Sequence, residues 1–288
     1  MADNSRAGTY AWFSPGLSRL SSSIVSLRSR RLRRRRVAVL RLYGAIGGGE
    51  RNAELLDLIR RLRVNRRVPA VVIDIDSPGG GATASDNLYH AIARLAAEKP
   101  VVAAVTGTGA SGAYLAGIAS RRMVAAPTSV VGSIGVINIA PRAPRLLDRL
   151  GIEVSEHSAG RLKGMGAPWR TESQPEAVKE QQLVDDIYEV FLSRVSNARN
   201  LPIEKVRDLA TGEVWLGSQA LELGLVDEIG DLEHAIDIAA RMAKVPSRAS
   251  VARLPRPLFR RLVDRFATRV AHSLADEIEV RLGDHYRM

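Results

Sequence analysis

Residues 70–81 read AVVIDIDSPGGG. The first six are apolar apart from Asp74, four of them β-branched, and so short a run suits a strand buried on both faces of a parallel sheet. Asp76-Ser77-Pro78-Gly79-Gly80-Gly81 then ends it in a sharp turn. Residues 82–98 follow with Leu88, Ile92 and Leu95 at helical spacing, which predicts a helix with one buried face. Residues 100–105 form a second apolar strand running into Thr106-Gly107-Thr108-Gly109-Ala110-Ser111-Gly112. Strand, turn, helix, strand is the unit of an α/β sheet with right-handed crossovers.

The same alternation extends in both directions. Residues 37–43 read as a strand and 53–62 as a helix. Residues 113–120 are small and helical, and 123–125 and 130–136 are short strands or turns around Gly132-Ser133-Ile134-Gly135. Residues 144–150 and 175–198 are helices, the second long and amphipathic, with a polar irregular loop over 155–174. Three short pieces follow at 203–209, 218–223 and 232–243.

The chain has 288 residues, 45% of them hydrophobic, which is enough for a sizeable core. It has no cysteine, which excludes disulfides, thiolate nucleophiles and cysteine-bound zinc. The net charge of +11 is unevenly placed. Residues 1–36 carry nine Arg against one Asp, and residues 248–288 carry nine Arg against five acids. Three parts result: a basic arm over 1–36, a folded body over 37–245, and a basic amphipathic helix and tail over 246–288. In that tail Leu258, Leu262, Phe266, Val270, Leu274 and Ile278 recur every fourth residue beside Arg260, Arg261, Arg265 and Arg269. The stripe fits a partner subunit or a membrane surface. The arm can bind acidic lipid or nucleic acid, or remain a solvated tail. No run approaches the roughly 18 apolar residues of a membrane span. In the arm the positive charge follows the weakly apolar part, the reverse of a secretory signal.

Four features carry chemistry. Gly79-Gly80, directly after a buried strand, lets the backbone pass close to a ligand with its N–H groups outward. Ser111 sits at a strand-to-helix turn among Gly109, Ala110, Gly112 and Ala113, whose small side chains leave room for a substrate carbonyl, a nucleophile-elbow arrangement. Taken alone it reads more readily as a helix N-cap serine. Lys163 lies in Gly160-Arg161-Leu162-Lys163-Gly164-Met165-Gly166. A lysine serves a serine as base only where burial or nearby cations leave it neutral. Ser133 can orient that lysine or simply satisfy its own turn. The five histidines, His90, His157, His234, His272 and His285, lie in no motif-like setting, and no spacing suggests a metal.

In their order and spacing these features resemble the signal peptide peptidase A family of serine peptidases, the S49 type. The resemblance covers roughly residues 37–245: Asp76 to Gly80, then Ala110-Ser111-Gly112, then Gly132 to Val136, then Lys163 in a loop ending Ala167-Pro168-Trp169-Arg170. It implies an α/β, ClpP/crotonase-like fold of stacked ββα units with peripheral helices. It also implies a Ser–Lys dyad, with Ser111 as nucleophile, Lys163 as general base and Ser133 as its hydrogen-bond partner. The backbone amides of Gly80 and Gly112 would form the oxyanion hole, and Gly79, Ala110 and Ala113 would frame the substrate crevice. No acid or base is expected in that crevice, so apolar side chains should be preferred. The resemblance further implies cleavage of hydrophobic, signal-peptide-like substrates without a cofactor. It implies a homo-oligomeric ring or dome in which short relatives complete the dyad across subunits. Two departures stand out: Ala113 where the family has Gly, and the Arg-rich arm where it has a membrane anchor. The expected location is cytoplasmic, with the arm drawing the chain to an anionic membrane surface. A crotonase-like acyl-CoA enzyme would need neither Ser111 nor Lys163. A nucleic-acid-binding scaffold would leave both unexplained, and nucleic acid is not the expected partner.

Overall fold

Strands and helices alternate along the computed structural model, which describes residues 36–253. The first half runs β1 (Val37–Tyr43), α1 (Glu50–Val64), β2 (Val71–Ser77), α2 (Ala82–Glu98), β3 (Val101–Ala110), α3 (Gly112–Gly117), β4 (Arg122–Ala125) and β5 (Val130–Gly132). The second half runs α4 (Pro144–Arg149), α5 (Gln174–Arg199), α6 (Ile203–Leu209), β6 (Val214–Leu216), α7 (Gly217–Glu222), β7 (Glu228–Ile229), α8 (Leu232–Ala243) and β8 (Ala249–Val251). The Arg-rich arm and the amphipathic C-terminal helix expected from the sequence lie outside the described residues.

β2 is central in a mixed sheet of eight strands. It pairs in parallel with β1, Leu40 opposite Ile73, and with β3, Ile73 opposite Ala103. Its unbroken apolar run has a direct cause. Val71, Ile73 and Ile75 point into one core with Leu88, Ile92 and Leu95 of α2. Val72 points into a second core, shared with Ala235, Ile236 and Ala239 of α8. A strand covered by helices on both faces cannot alternate apolar with polar. α8 is fixed at its start by Asp231, whose carboxylate accepts the His234 N–H at 2.8 Å, and at its end by Lys244 in a left-handed conformation.

β3 changes partner partway along, and this opens the site. Residues 102–105 pair with β4, whereas Thr108, Gly109 and Ala110 pair with β5. Between the two stretches the register against β2 slips, from Ile75 opposite Val105 to Ser77 opposite Gly109. The strand therefore runs on through its glycines to Ala110 instead of ending at 105. Two further departures from the expected sheet appear. β6 lies antiparallel to β5. β8, from the stretch assigned to the tail, extends the sheet beyond β1.

Candidate active site

Ser111 is the first residue beyond β3, with φ 51° and ψ −125°, a conformation that costs a non-glycine residue about 1–3 kcal/mol. The surroundings impose it. The Ser111 N–H donates to the Gly132 carbonyl at 2.7 Å, and its carbonyl accepts from Leu115 N at 3.0 Å as α3 begins. With both backbone groups fixed, the hydroxyl is held out at the tip of the strand-to-helix turn.

The Pro78-Gly79-Gly80 turn lies directly against it. A Cβ on Gly79, where φ is +92°, would fall 2.7 Å from Gly112 N and 2.9 Å from Ser111 Cβ. The neighbouring backbone groups are engaged elsewhere. Gly79 N–H donates to Ser77 Oγ at 3.2 Å. Ile46 N–H donates to the Gly79 carbonyl at 2.8 Å, and Gly81 N–H to the Ile46 carbonyl at 2.9 Å. Gly80 itself lines the cavity. Gly112 opens α3, so its amide has no carbonyl four residues back within the helix. A Cβ on Gly112 would come within 3.5 Å of Gly80 N. The Gly79-Gly80 turn and the start of α3 are thus packed against each other beside the serine.

Substitution of Gly80 tests how much depends on that turn. A Cβ there would collide with the Ile46 carbonyl, carbon and nitrogen at once. Gly80→Ala is expected to unzip the Ile46–Gly80 bridge, and, if Gly80 is the oxyanion donor that the resemblance implies, to reduce peptide hydrolysis at least about a hundredfold. The melting temperature should fall as well, because the clash is with backbone and no flexible side chain can relieve it. Steady-state kinetics beside a thermal scan check this, and unchanged kcat would remove Gly80 from the site.

Ser111, Gly80, Gly112 and Ser133 all line one cavity of about 1250 Å³. Ser133 has φ 49° and donates its N–H to the Glu213 carbonyl at 2.6 Å. Gly79, Ala110 and Ala113 are buried behind the turn and do not line the cavity. α5 forms the opposite wall, where Val184, Ile187, Val190 and Phe191 supply an apolar lining. Asp86, Asp185 and Asp186 also reach the cavity, so the expectation of a crevice free of acids is corrected. Those acids come from α2 and α5, not from the glycine turns on which the expectation rested. Asp86 is paired with Arg194 at 2.6 Å.

Lys163 does not line the cavity that holds Ser111. It sits exposed on the 155–173 loop, its N–H donating to the Gly160 carbonyl at 3.0 Å. Nor does any described histidine take its place there. His90 and His234 lie against Asp86 and Glu228, and His157 against Ser155; His272 and His285 are outside the described residues. Among the described residues no group of His, Cys, Asp or Glu is arranged to hold a metal.

Ser85 escapes sequence reasoning. It is 1% exposed, lines the cavity, and its hydroxyl lies against Gly112 without a hydrogen-bond partner. The available signal was a serine on the Leu88–Ile92 stripe of α2.

Comparison with known proteins matches residues 93–246 to the description of peptidase family S49. A Synechocystis protein named as a candidate protease is 35% identical over 232 residues, covering 80% of this chain and 83% of its own. The chloroplastic serine protease SPPA of Arabidopsis thaliana is 33% identical over 207 residues, 71% of this chain, but this chain spans only 31% of that protein. Protease 4 of Salmonella typhi is 32% identical over 217 residues, with 35% of its length spanned. Among solved structures, a ClpP1 mutant from Listeria monocytogenes superposes with a TM-score of 0.46 at 17% identity, over 73% of this chain and 98% of that one.

Proposed function

The chain belongs to peptidase family S49, and from that premise we propose that it is a serine endopeptidase working through a Ser111–Lys163 dyad and an acyl-enzyme. The observation that carries this reading is the strained turn at Ser111, with the Gly80 and Gly112 backbone beside it in one cavity. Ser111 Oγ attacks the scissile carbonyl while neutral Lys163 Nζ takes its proton. The Gly80 and Gly112 amides receive the developing oxyanion. Lys163 returns the proton to the leaving amine, then activates a water that hydrolyses the ester on Ser111. Ser133 accepts a hydrogen bond from Lys163 and fixes its direction.

Lys163 comes from a neighbouring copy in this reading. Exposure of Lys163 away from its own cavity supports that. So does the strap after β5, where Ile137 and Ile139 are 80% and 79% exposed. With Leu146 of α4 and Leu150 just after it, also exposed, they supply apolar surface that a second subunit would cover. A head-to-tail contact of this kind closes into a ring or dome. The apolar wall from α5 supports hydrophobic peptides, including remnant signal peptides, as substrates. Among the described residues no helix is long and apolar enough to cross a membrane. The Arg-rich arm, by its charge alone, would hold the enzyme peripherally on the anionic cytoplasmic face.

Reaction with a fluorophosphonate probe tests the proposal. The adduct should map to Ser111, and Ser111→Ala should lose both label and peptide hydrolysis. Equal labelling and turnover by that variant would remove Ser111 from the mechanism.

A further inference from the structure

A general base on an exposed loop needs something to hold that loop still, because a misplacement of about 1 Å can cost a hundredfold in rate. The turns around Lys163 provide only local bonds: Lys163 N–H to Gly160 O at 3.0 Å, Met165 N–H to Leu162 O at 3.1 Å and Ala167 N–H to Gly164 O at 3.1 Å. Farther along, the Pro168 carbonyl accepts the Ala143 N–H at 2.8 Å, and the side chain that reaches back to the lysine turn itself is that of Arg170. Its Nη2 donates to the Gly164 carbonyl at 2.9 Å and to Glu176 Oε1 at 2.6 Å, and its Nη1 to Glu176 Oε2 at 2.9 Å. On its other edge Nε faces Glu156 Oε2 at 3.4 Å, an oxygen that also accepts Trp169 Nε1–H at 3.1 Å.

Glu176 is the fixed end of this clamp. It is 2% exposed and lies in the first turn of α5. Its Oε2 accepts the Ser173 N–H at 2.9 Å and the Ser173 hydroxyl at 2.8 Å, a capping box. Farther along α5, Phe191, Leu192 and Val195 are buried in the main core. A continuous path thus leads from the core through α5, Glu176 and Arg170 to the peptide next to Lys163.

Gly164 is shaped for the same purpose. A Cβ there would fall 2.6 Å from Arg170 Nη2 and collide with a Glu156 carboxylate oxygen. Helix capping accounts for the Ser173–Glu176 bonds. It does not account for a guanidinium that also grips Gly164 and Glu156 on the lysine loop.

We infer that Arg170 is a positioning residue for catalysis, holding the Lys163 loop in the geometry that presents the base, with Glu176 as its anchor and Gly164 as its seat. The inference rests on the reading of Lys163 as general base. The clamp persists across assay conditions. Arg170 and the two Ser173 hydrogen bonds hold the Glu176 carboxyl well below the usual carboxylate range, so the pair loses its charge only in strong acid.

Arg170→Lys and Gly164→Ala separate positioning from stability. A lysine restores the charge beside Glu176 but cannot bridge Glu176 and the Gly164 carbonyl in one planar fork. Gly164→Ala leaves the helix cap intact and pushes on Arg170 and Glu156. With a fluorogenic peptide, both variants should lose about ten- to a hundredfold in kcat with KM within about twofold, the sign of misplaced catalytic machinery. Their melting temperatures should stay within a few degrees of the parent. Arg170→Ala should lose rate and stability together. Wild-type kcat in both Arg170→Lys and Gly164→Ala, with Lys163→Ala inactive, would overturn the positioning role alone. A rate that merely tracks melting temperature across the three variants would do the same. Full turnover by Lys163→Ala would overturn the assignment of the base, and this inference with it.

Discussion

Ser111→Ala and Lys163→Ala should each lower kcat by at least about a thousandfold, and the double variant should be scarcely worse than either. The two residues act on one proton. Once Oγ is gone the lysine has no proton to take, and without the lysine the hydroxyl is a poor nucleophile at neutral pH, so the second loss finds little left to remove. A residual rate above water should survive in all three from the oxyanion donors and substrate binding. The fold should tolerate each change. Ser111→Ala removes one atom from a partly exposed turn whose two backbone hydrogen bonds remain, and Lys163 is exposed. Lys163→Arg should not restore activity, because a guanidinium stays protonated. Losses that multiply in the double variant would mean that serine and lysine act in separate steps.

The sequence revealed most where local pattern and tertiary environment agree. β2 and α2 were legible because burial on two faces and on one face leave different periodicities, an unbroken run and a 3–4 spacing. Ser111 was legible because a nucleophile at a strand-to-helix turn needs small neighbours, and Gly109 to Ala113 provide them. Other features depend on contacts that no local window records. The slip of β3 between β4 and β5 is set by pairing partners about twenty or more residues away. β6 meets β5 antiparallel only after the long excursion through α5 and α6, beyond the reach of any local window. Asp185 and Asp186 reach the cavity from α5, some seventy residues beyond Ser111. Arg170 was visible only as the end of a motif, since its partners Glu156, Gly164 and Glu176 look like ordinary loop and helix-cap residues until folding gathers them.

The placement of Lys163 leads to the last expectation, which concerns inactive chains. If each site takes Ser111 from one subunit and Lys163 from the next, Ser111→Ala and Lys163→Ala chains carry complementary defects. In a head-to-tail ring assembled at random from equal amounts, a site is complete when a Lys163→Ala chain supplies the serine and its neighbour, a Ser111→Ala chain, supplies the lysine. Half the positions meet the first condition and half of those the second, so about a quarter of parental activity should return on co-expression. A preparation of either variant alone should remain inactive at any concentration. The strap that supports the contact provides an internal control. Ile137 and Ile139 lie almost fully in solvent, so Ile139→Glu should be tolerated by the isolated fold. It should nevertheless split the assembly, because a carboxylate would be buried at the interface without a partner. Activity and light scattering should then fall together, in the parent and in the mixed sample alike. Co-expressed variants that form stable mixed oligomers yet recover nothing would place both halves of the dyad in one chain. The Lys163 loop would then have to swing back toward its own cavity.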